Sequence, residues 1–241
     1  MTDESDATEK LIGILVTGSP LESVRRRCGG FDALIRTQVA LQLREAWEVI
    51  DCRSEAIPRL DRYVAVVITG SPSSVLDREP WMLALEARLR EAVEWGVFVL
   101  GICFGHQLLA TALGGKVSRN PRGRELGIVR IQALGHDEVF GASLTPSLVY
   151  MAHEDTVEVP PACARVLART EDDAHAAMRL GPRAWSVQFH PEFDGFVMGQ
   201  YLDDKPKTSA HHRVVVAAKT ADATVTLAGR SLLTRFLQIA S

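Results

Sequence analysis

Along the first half of the chain, short continuous apolar runs alternate with stretches of helical spacing. Leu11–Pro20 (LIGILVTGSP) is a β-rich apolar run closed by Gly-Ser-Pro, the pattern of a buried strand and its exit turn. Phe31–Arg44 has the spacing of a helix, and Ala46–Cys52 (AWEVIDC) reads as a second strand. Tyr63–Pro72 (YVAVVITGSP) reads as a third, ending in the same Thr-Gly-Ser-Pro as the first. The flanks differ, so two parallel strands with similar exit turns explain this echo, not a repeat. In Glu79–Trp95, residues Trp81, Leu85, Leu89 and Val93 share a helical face, with Pro80 suited to the first turn. Gly96–Cys103 (GVFVLGIC) predicts a fourth strand and Gly105–Leu113 a helix stopped by Gly114-Gly115. Strands alternating with helices predict an α/β fold: an open, mostly parallel central sheet flanked by helices.

From Lys116 to Phe189 the pattern changes to short β-like pieces: GIVRIQAL, SLVYMAH, ARVLART, HAAMRL and AWSVQFH. They predict an antiparallel extension of the sheet. A helix follows over Phe193–Leu202, then a polar loop, DDKPKTSAHH, then a helix over Ala221–Ile239. No linker or low-complexity segment interrupts the chain. Residues 1–10 (MTDESDATEK) read as a flexible lead and 11–241 as one domain.

Composition narrows the function classes. The chain has 241 residues, 46% hydrophobic and 24% charged, enough for a sizeable core. A net charge of -3 implies no basic face, so nucleic acid and anionic membrane are not expected partners. No apolar run approaches the roughly 20 residues needed to span a bilayer. The acidic lead is unlike a signal or transit peptide, which favours the cytoplasm. The four cysteines, Cys28, Cys52, Cys103 and Cys163, form no CxxC pair, against a disulfide framework or a zinc site. For Cys28, Cys52 and Cys163 the expectation is a buried or partly buried small hydrophobe.

Cys103 is different. It stands at the carboxyl end of a predicted parallel strand, where ligands gather in open sheets. Gly-Ile-Cys-Phe-Gly (Gly101–Gly105) has the form of a strand-to-helix nucleophile elbow with sulfur in place of oxygen. Glycine neighbours let backbone and substrate approach an exposed, sharply turned thiol. The helix N-terminus beyond favours the thiolate, and the Phe104 amide is aimed at a developing oxyanion. From the elbow alone, a buried structural cysteine on a Gly-rich turn remains the other reading.

A thiol nucleophile needs a base. Of the seven histidines, His211 and His212 fall in the polar loop, and His136 and His175 in polar surroundings. His106 reads as a packed or hydrogen-bonded helix residue. His153 (YMAHEDTV) and His190 (WSVQFHPEF) each end an apolar strand. His190 has the better surroundings. Pro191 holds it away from helical angles, and in an extended segment Glu192 faces the same side and can orient the ring; taken alone, HPE reads as a strand-ending turn with a solvated glutamate, and the elbow tips the balance.

These residues carry a family resemblance. GICFGHQLLATALGG resembles the nucleophile motif, and QFHPEF the His-Glu motif, of the class I (triad) glutamine amidotransferases. The likeness runs from about Leu11 to Phe193 and is nearest to stand-alone proteins related to the glutaminase domain of GMP synthase. It implies a flavodoxin-like α/β fold. It also implies attack by Cys103 on the side-chain amide of glutamine to give a γ-glutamyl thioester, with His190 as base and acid and Glu192 as its orienter. The oxyanion would be held by the backbone of Phe104 and of Gly70 or Ser71, where Ser71 replaces a glycine common in the family. Gln107 matches the glutamine that contacts substrate, and His153, Glu154 and Asp155 the segment that holds its α-amino and α-carboxylate groups. For Gln107 a plain helix residue, and for His153–Asp155 a solvated loop, are the other readings.

The resemblance implies no metal and no organic cofactor. Familiar members carry or bind a synthetase that consumes the ammonia. Only about fifty residues follow Phe193, too few for such a domain, and no Walker-type loop is present. The expectation is a glutaminase that supplies ammonia to a separate acceptor enzyme. A γ-glutamyl peptidase is the alternative, with SPSSVLDREPW bordering the room for a larger leaving group. A non-catalytic binding protein is the third reading, disfavoured because all three triad positions are filled.

Overall fold

The computed structural model describes residues 11–39, 47–141, 147–204, 212–215 and 223–240. Its centre is a sheet in the order His212–Val215 (β12), Arg124–Ala133 (β6), Arg165–Arg169 (β9), Ala177–Gly181 (β10), Ala184–Val187 (β11), Phe98–Ile102 (β4), Tyr63–Ile68 (β3), Leu11–Val16 (β1), Trp47–Asp51 (β2), with Ser147–His153 (β7) also paired to β6. The strands β1 (Leu11–Val16), β2 (Trp47–Asp51), β3 (Tyr63–Ile68), β4 (Phe98–Ile102) and β11 (Ala184–Val187) are parallel neighbours. The antiparallel extension is β6 (Arg124–Ala133), β7 (Ser147–His153), β9 (Arg165–Arg169) and β10 (Ala177–Gly181). The result is the expected α/β class, but Ala184–Val187, expected in the antiparallel extension, instead pairs parallel with β4.

Alternation within the strands builds two cores. On β3, Ala65 and Val67 face one cluster, and Val66 and Ile68 the other, as a strand period of two requires. The first cluster is covered by α2 (Phe31–Gln38) and α6 (Ala223–Ala240) through Ile35, Leu232, Leu233 and Phe236. The second is covered by α3 (Pro80–Glu94) and α4 (Phe104–Ala112) through Met82, Leu85, Leu89, Leu108 and Leu109. Pro80 opens α3, where a missing N–H costs nothing.

Several expectations are corrected. A helix α1 (Glu22–Cys28) precedes α2; it buries only Val24, so its sequence carries no apolar stripe. The helix expected over Phe31–Arg44 ends at Gln38, where Val39 turns extended, and 40–46 lie outside the described residues. Lys116–Arg119 (β5) and Asp155–Val159 (β8) form a separate two-stranded sheet, not part of the extension. His212 lies in a strand, β12 (His212–Val215), paired parallel with β6, not in a loop. Cys163 is exposed, whereas Cys28 and Cys52 are partly and fully buried. The lead 1–10, His211 and most of the polar loop lie outside the described residues. The helix expected over Phe193–Leu202 is α5 (Gly195–Asp203), capped by the Asp194 side chain.

The two Thr-Gly-Ser-Pro turns leave adjacent parallel strands and bind each other. The Thr17 N–H donates to Thr69 Oγ1 (3.0 Å), and Thr17 Oγ1 donates to the carbonyls of Thr69 and Gly70 (both 3.0 Å). They stand at the carboxyl ends of β1 and β3, where the strand order reverses and an open sheet leaves a crevice.

Candidate active site

Cys103 sits between β4 and α4 with φ 50° and ψ -101°, a strained backbone for a residue with a side chain. The flanking glycines explain how the turn closes. A Cβ on Gly101 would lie 2.5 Å from the Gly105 carbonyl oxygen, and one on Gly105 would lie 2.6 Å from that of Ile68. They are absent side chains between backbones, not openings for substrate. Cys103 is 6% exposed, so it is more enclosed than the sequence suggests. Phe104 opens α4, where a first-turn N–H has no helical partner.

Gly70 faces this thiol. A Cβ there would be 3.1 Å from His190 Cε1 and 3.8 Å from Cys103 Cβ, so His190 and Cys103 meet over a residue that must stay small. The Ser71 hydroxyl donates to the Thr17 carbonyl (2.8 Å) and accepts from the Ser73 N–H (3.1 Å). That side chain is spent on the turn.

His190 follows β11 and is held from four directions. Its N–H donates to the Tyr150 carbonyl (2.8 Å), and its ring stacks on Phe193 at 4.0 Å. Its Nδ1 meets Glu192 Oε1 at 2.8 Å. On the far side, α6 closes against Pro191: a Cβ on Gly229 would lie 2.4 Å from the Pro191 carbonyl oxygen. Burial works against a charged ring, but the charges of Glu192 and Cys103, with hydrogen bonds to both, outweigh it and raise the His190 pKa from 6.5 to about 10. The site therefore stabilises a proton held on the ring, as its transfer from the Cys103 thiol requires.

The cleft above Cys103 has a volume of about 550 Å³. Gln107, His153, Glu154 and Asp155 all line it. Gln107 Nε2 donates to the Asp155 carbonyl (2.8 Å) and to Gln188 Oε1 (3.0 Å). His153 is a buried strut, not a solvated loop residue. Its Nε2 meets Glu125 Oε2 and its Nδ1 the Asp155 carbonyl, each at 2.9 Å. Burial opposes its charge, but the Glu125 hydrogen bond and the charges of Asp173 and Glu125 raise its pKa to about 9. Asp155 Oδ2 accepts from Ser74 Oγ (2.5 Å), and Arg119 pairs with both Asp155 (3.1 Å) and the exposed Glu154 (3.2 Å). His106 is packed under the elbow, 2.8 Å from Ser186 Oγ, and burial lowers its pKa to about 3. Among the described residues no cluster of three or more His, Cys, Asp or Glu could hold a metal ion, and no helix is long and apolar enough to cross a membrane.

A thiol on a strained elbow beside a carboxylate-bound imidazole matches a known family. The model of the class I glutamine amidotransferases covers residues 32–207. The chain belongs to that family. The class comprises enzymes that break a C–N amide bond with a cysteine. The glutamine-hydrolysing GMP synthase of Aeropyrum pernix is 39% identical over 143 residues, 59% of this chain and 26% of that protein. The chain thus spans about a quarter of the length of the GMP synthases it matches. Gamma-glutamyl peptidase 3 of Arabidopsis thaliana is 26% identical over 204 residues, 81% of this chain and 82% of the relative. The crystal structure of a glutamine amido transferase from Methylobacillus Flagellatus shares the fold. Its TM-score is 0.74 and its identity 22%, over 94% of this chain and 92% of that one.

The amidotransferase cleft also contains residues that sequence reasoning passed over. Ser74, Arg119, Arg124 and Tyr201 line it, and Glu125 holds His153 from below. Each lies in a segment whose sequence looks ordinary; only the Ser-rich stretch after β3 drew notice, as a border of the leaving-group room, and Ser71 to Ser74 do line the cleft.

Proposed function

We propose that the chain hydrolyses the γ-amide of glutamine through Cys103, His190 and Glu192. The observation that carries this reading is the Nδ1–Oε1 contact of His190 with Glu192 (2.8 Å) at the mouth of a strained cysteine elbow. His190 takes the Cys103 proton, and the sulfur attacks the γ-carbonyl carbon. Charge on the oxygen is met by the N–H of Phe104 and that of Gly70 or Ser71. The C–N bond breaks as His190 returns the proton to nitrogen, ammonia leaves, and a γ-glutamyl thioester remains on Cys103. Water then gives its proton to His190 and attacks the thioester. The C–S bond breaks, the thiol is re-protonated by His190, and glutamate leaves. Glu192 orients the ring and offsets its charge throughout. Gln107 and the His153–Asp155 segment hold the amino-acid end of the donor. These steps use side chains, backbone and water, with no metal or organic cofactor. The likeness to glutamine-hydrolysing GMP synthases supports an ammonia-consuming synthetase as the separate partner.

A second reading keeps the chemistry and changes the leaving group. Two observations favour a γ-glutamyl peptidase. A cleft of about 550 Å³ lies in the range that encloses ligands larger than one amino acid. The likeness to gamma-glutamyl peptidase 3 spans 82% of that relative.

The test is steady-state release of ammonia and glutamate from glutamine, beside amine release from γ-glutamyl dipeptides, with Cys103→Ala as the blank. Cys103-dependent hydrolysis of glutamine with dipeptides poor supports the first reading, and the reverse supports the second. A Cys103→Ala protein that still hydrolyses these amides would falsify both.

A further inference from the structure

The cleft is lined by charged side chains in two different states of pairing. Arg119 is shared by two carboxylates, Glu154 and Asp155, which leaves a net negative wall suited to an ammonium group. Arg124, the first residue of β6, also lines the cleft. None of the ion pairs among the described residues includes it, and its Nε is closed off from water with no hydrogen-bond partner. A buried donor with no partner costs free energy, and a slight swing of this half-buried side chain toward the cleft lets an incoming acceptor relieve it.

The position of Arg124 relates it to the departing group. A leaving nitrogen must take its proton from His190, so what is attached to it departs along the His190 side. That side is an aromatic row: Phe193 stacks on His190 at 4.0 Å and Tyr201 packs on Phe193 at 5.1 Å. Tyr201 also lines the cleft. Its hydroxyl pKa is raised by burial and by the charges of Glu192 and Cys103, and Arg124 pulls the other way, so the guanidinium lies within electrostatic reach of this row.

We propose that Arg124 recognises a carboxylate on the leaving group, so that the preferred substrates are γ-glutamyl dipeptides whose second residue keeps its free C-terminal carboxylate. This deepens the peptidase reading and rests on the thioester chemistry above. The planar fork of the guanidinium suits two parallel bonds to that carboxylate, which a lysine cannot make. Glutamine, whose leaving group is ammonia, leaves this contact unmade.

The experiment compares kcat/KM for γ-glutamylglycine with that for γ-glutamylglycinamide, which differs only in lacking the terminal charge. In the wild-type protein the carboxylate substrate is preferred by about 10- to 100-fold, the size of one charge-assisted contact. Arg124→Met brings the ratio close to one, and Arg124→Lys leaves it in between. A wild-type ratio near one overturns the inference without touching the thioester chemistry. So does an Arg124→Met protein in which both substrates slow together, since that places Arg124 on the α-carboxylate of the donor. Equilibrium binding of the same two compounds to Cys103→Ala gives the ratio without turnover. If the wild-type protein cleaves neither compound nor glutamine, the chemistry itself fails and the inference with it.

Discussion

The two walls of the cleft are fixed by different physics. The wall carrying Cys103 is fixed by contact. Gly101 and Gly105 let the end of β4, the first turn of α4 and the end of β3 touch backbone to backbone, at distances no Cβ permits. The facing wall is fixed by polar partners. Glu125 holds His153, His153 and Gln107 both bind the Asp155 carbonyl, and Ser74 binds the Asp155 carboxylate. A contact wall holds its shape at every pH and tolerates no added atom. A hydrogen-bonded wall accepts small substitutions but answers to protonation.

The strongest test of this contrast is Gly105→Ala. Its Cβ would fall 2.6 Å from the Ile68 carbonyl, so β3 or α4 must move. Urea unfolding is expected to show a loss of about 3 kcal/mol, with activity lost in step. A variant as stable as wild type would break the contact account of this wall. Next is Glu192→Gln, which keeps the shape and removes the charge facing His190. It is expected to lower kcat by about 100-fold with a smaller change in KM. An unchanged kcat would take Glu192 out of the chemistry.

Glu125→Gln probes the polar wall. The His153 pKa rises from 6.5 to about 9 on folding, so between these values the folded chain holds a proton that the unfolded chain releases. The stabilisation from this pair is whole below about pH 6.5 and is lost as pH rises through about 9. The wild-type Tm therefore falls across that window, and the fall is shallower in Glu125→Gln. KM for the donor rises by about 10-fold as the Asp155 segment loosens. Parallel Tm–pH curves would show that the pair does not titrate with folding. The smallest effect is expected from Ser74→Ala, a rise in KM of roughly threefold from one lost bond to Asp155. A change in kcat without one in KM would move Ser74 from binding to chemistry.

The same contrast explains what the sequence could reveal. Gly101, Cys103 and Gly105 act within one turn of chain, and His190 and Glu192 within one strand end, so each set is visible as a short motif. Strands β1, β3 and β4 were legible because each is a nearly continuous apolar run, whereas β11 was grouped with the antiparallel pieces because nothing in a short strand tells which neighbour it will pair with. The Glu125–His153 pair was not legible. Its members are 28 residues apart, and a Glu in a strand beside an Arg reads as surface until the fold buries it. Helix α1 escaped because it packs through Val24 alone, and the β5–β8 sheet because its strands are separated in the chain by β6 and β7.

Gly229 has a consequence for the order in which the protein becomes competent. In an interior helical position glycine weakens α6 by about 1 kcal/mol relative to alanine, yet only glycine lets α6 lie against the Pro191 carbonyl behind His190. Helix α6 follows every other described element in the chain. On the ribosome the sulfur is therefore made early and the brace behind the imidazole late. A growing chain holds Cys103 before His190 is braced, and the seat of His190 is completed only when α6 docks.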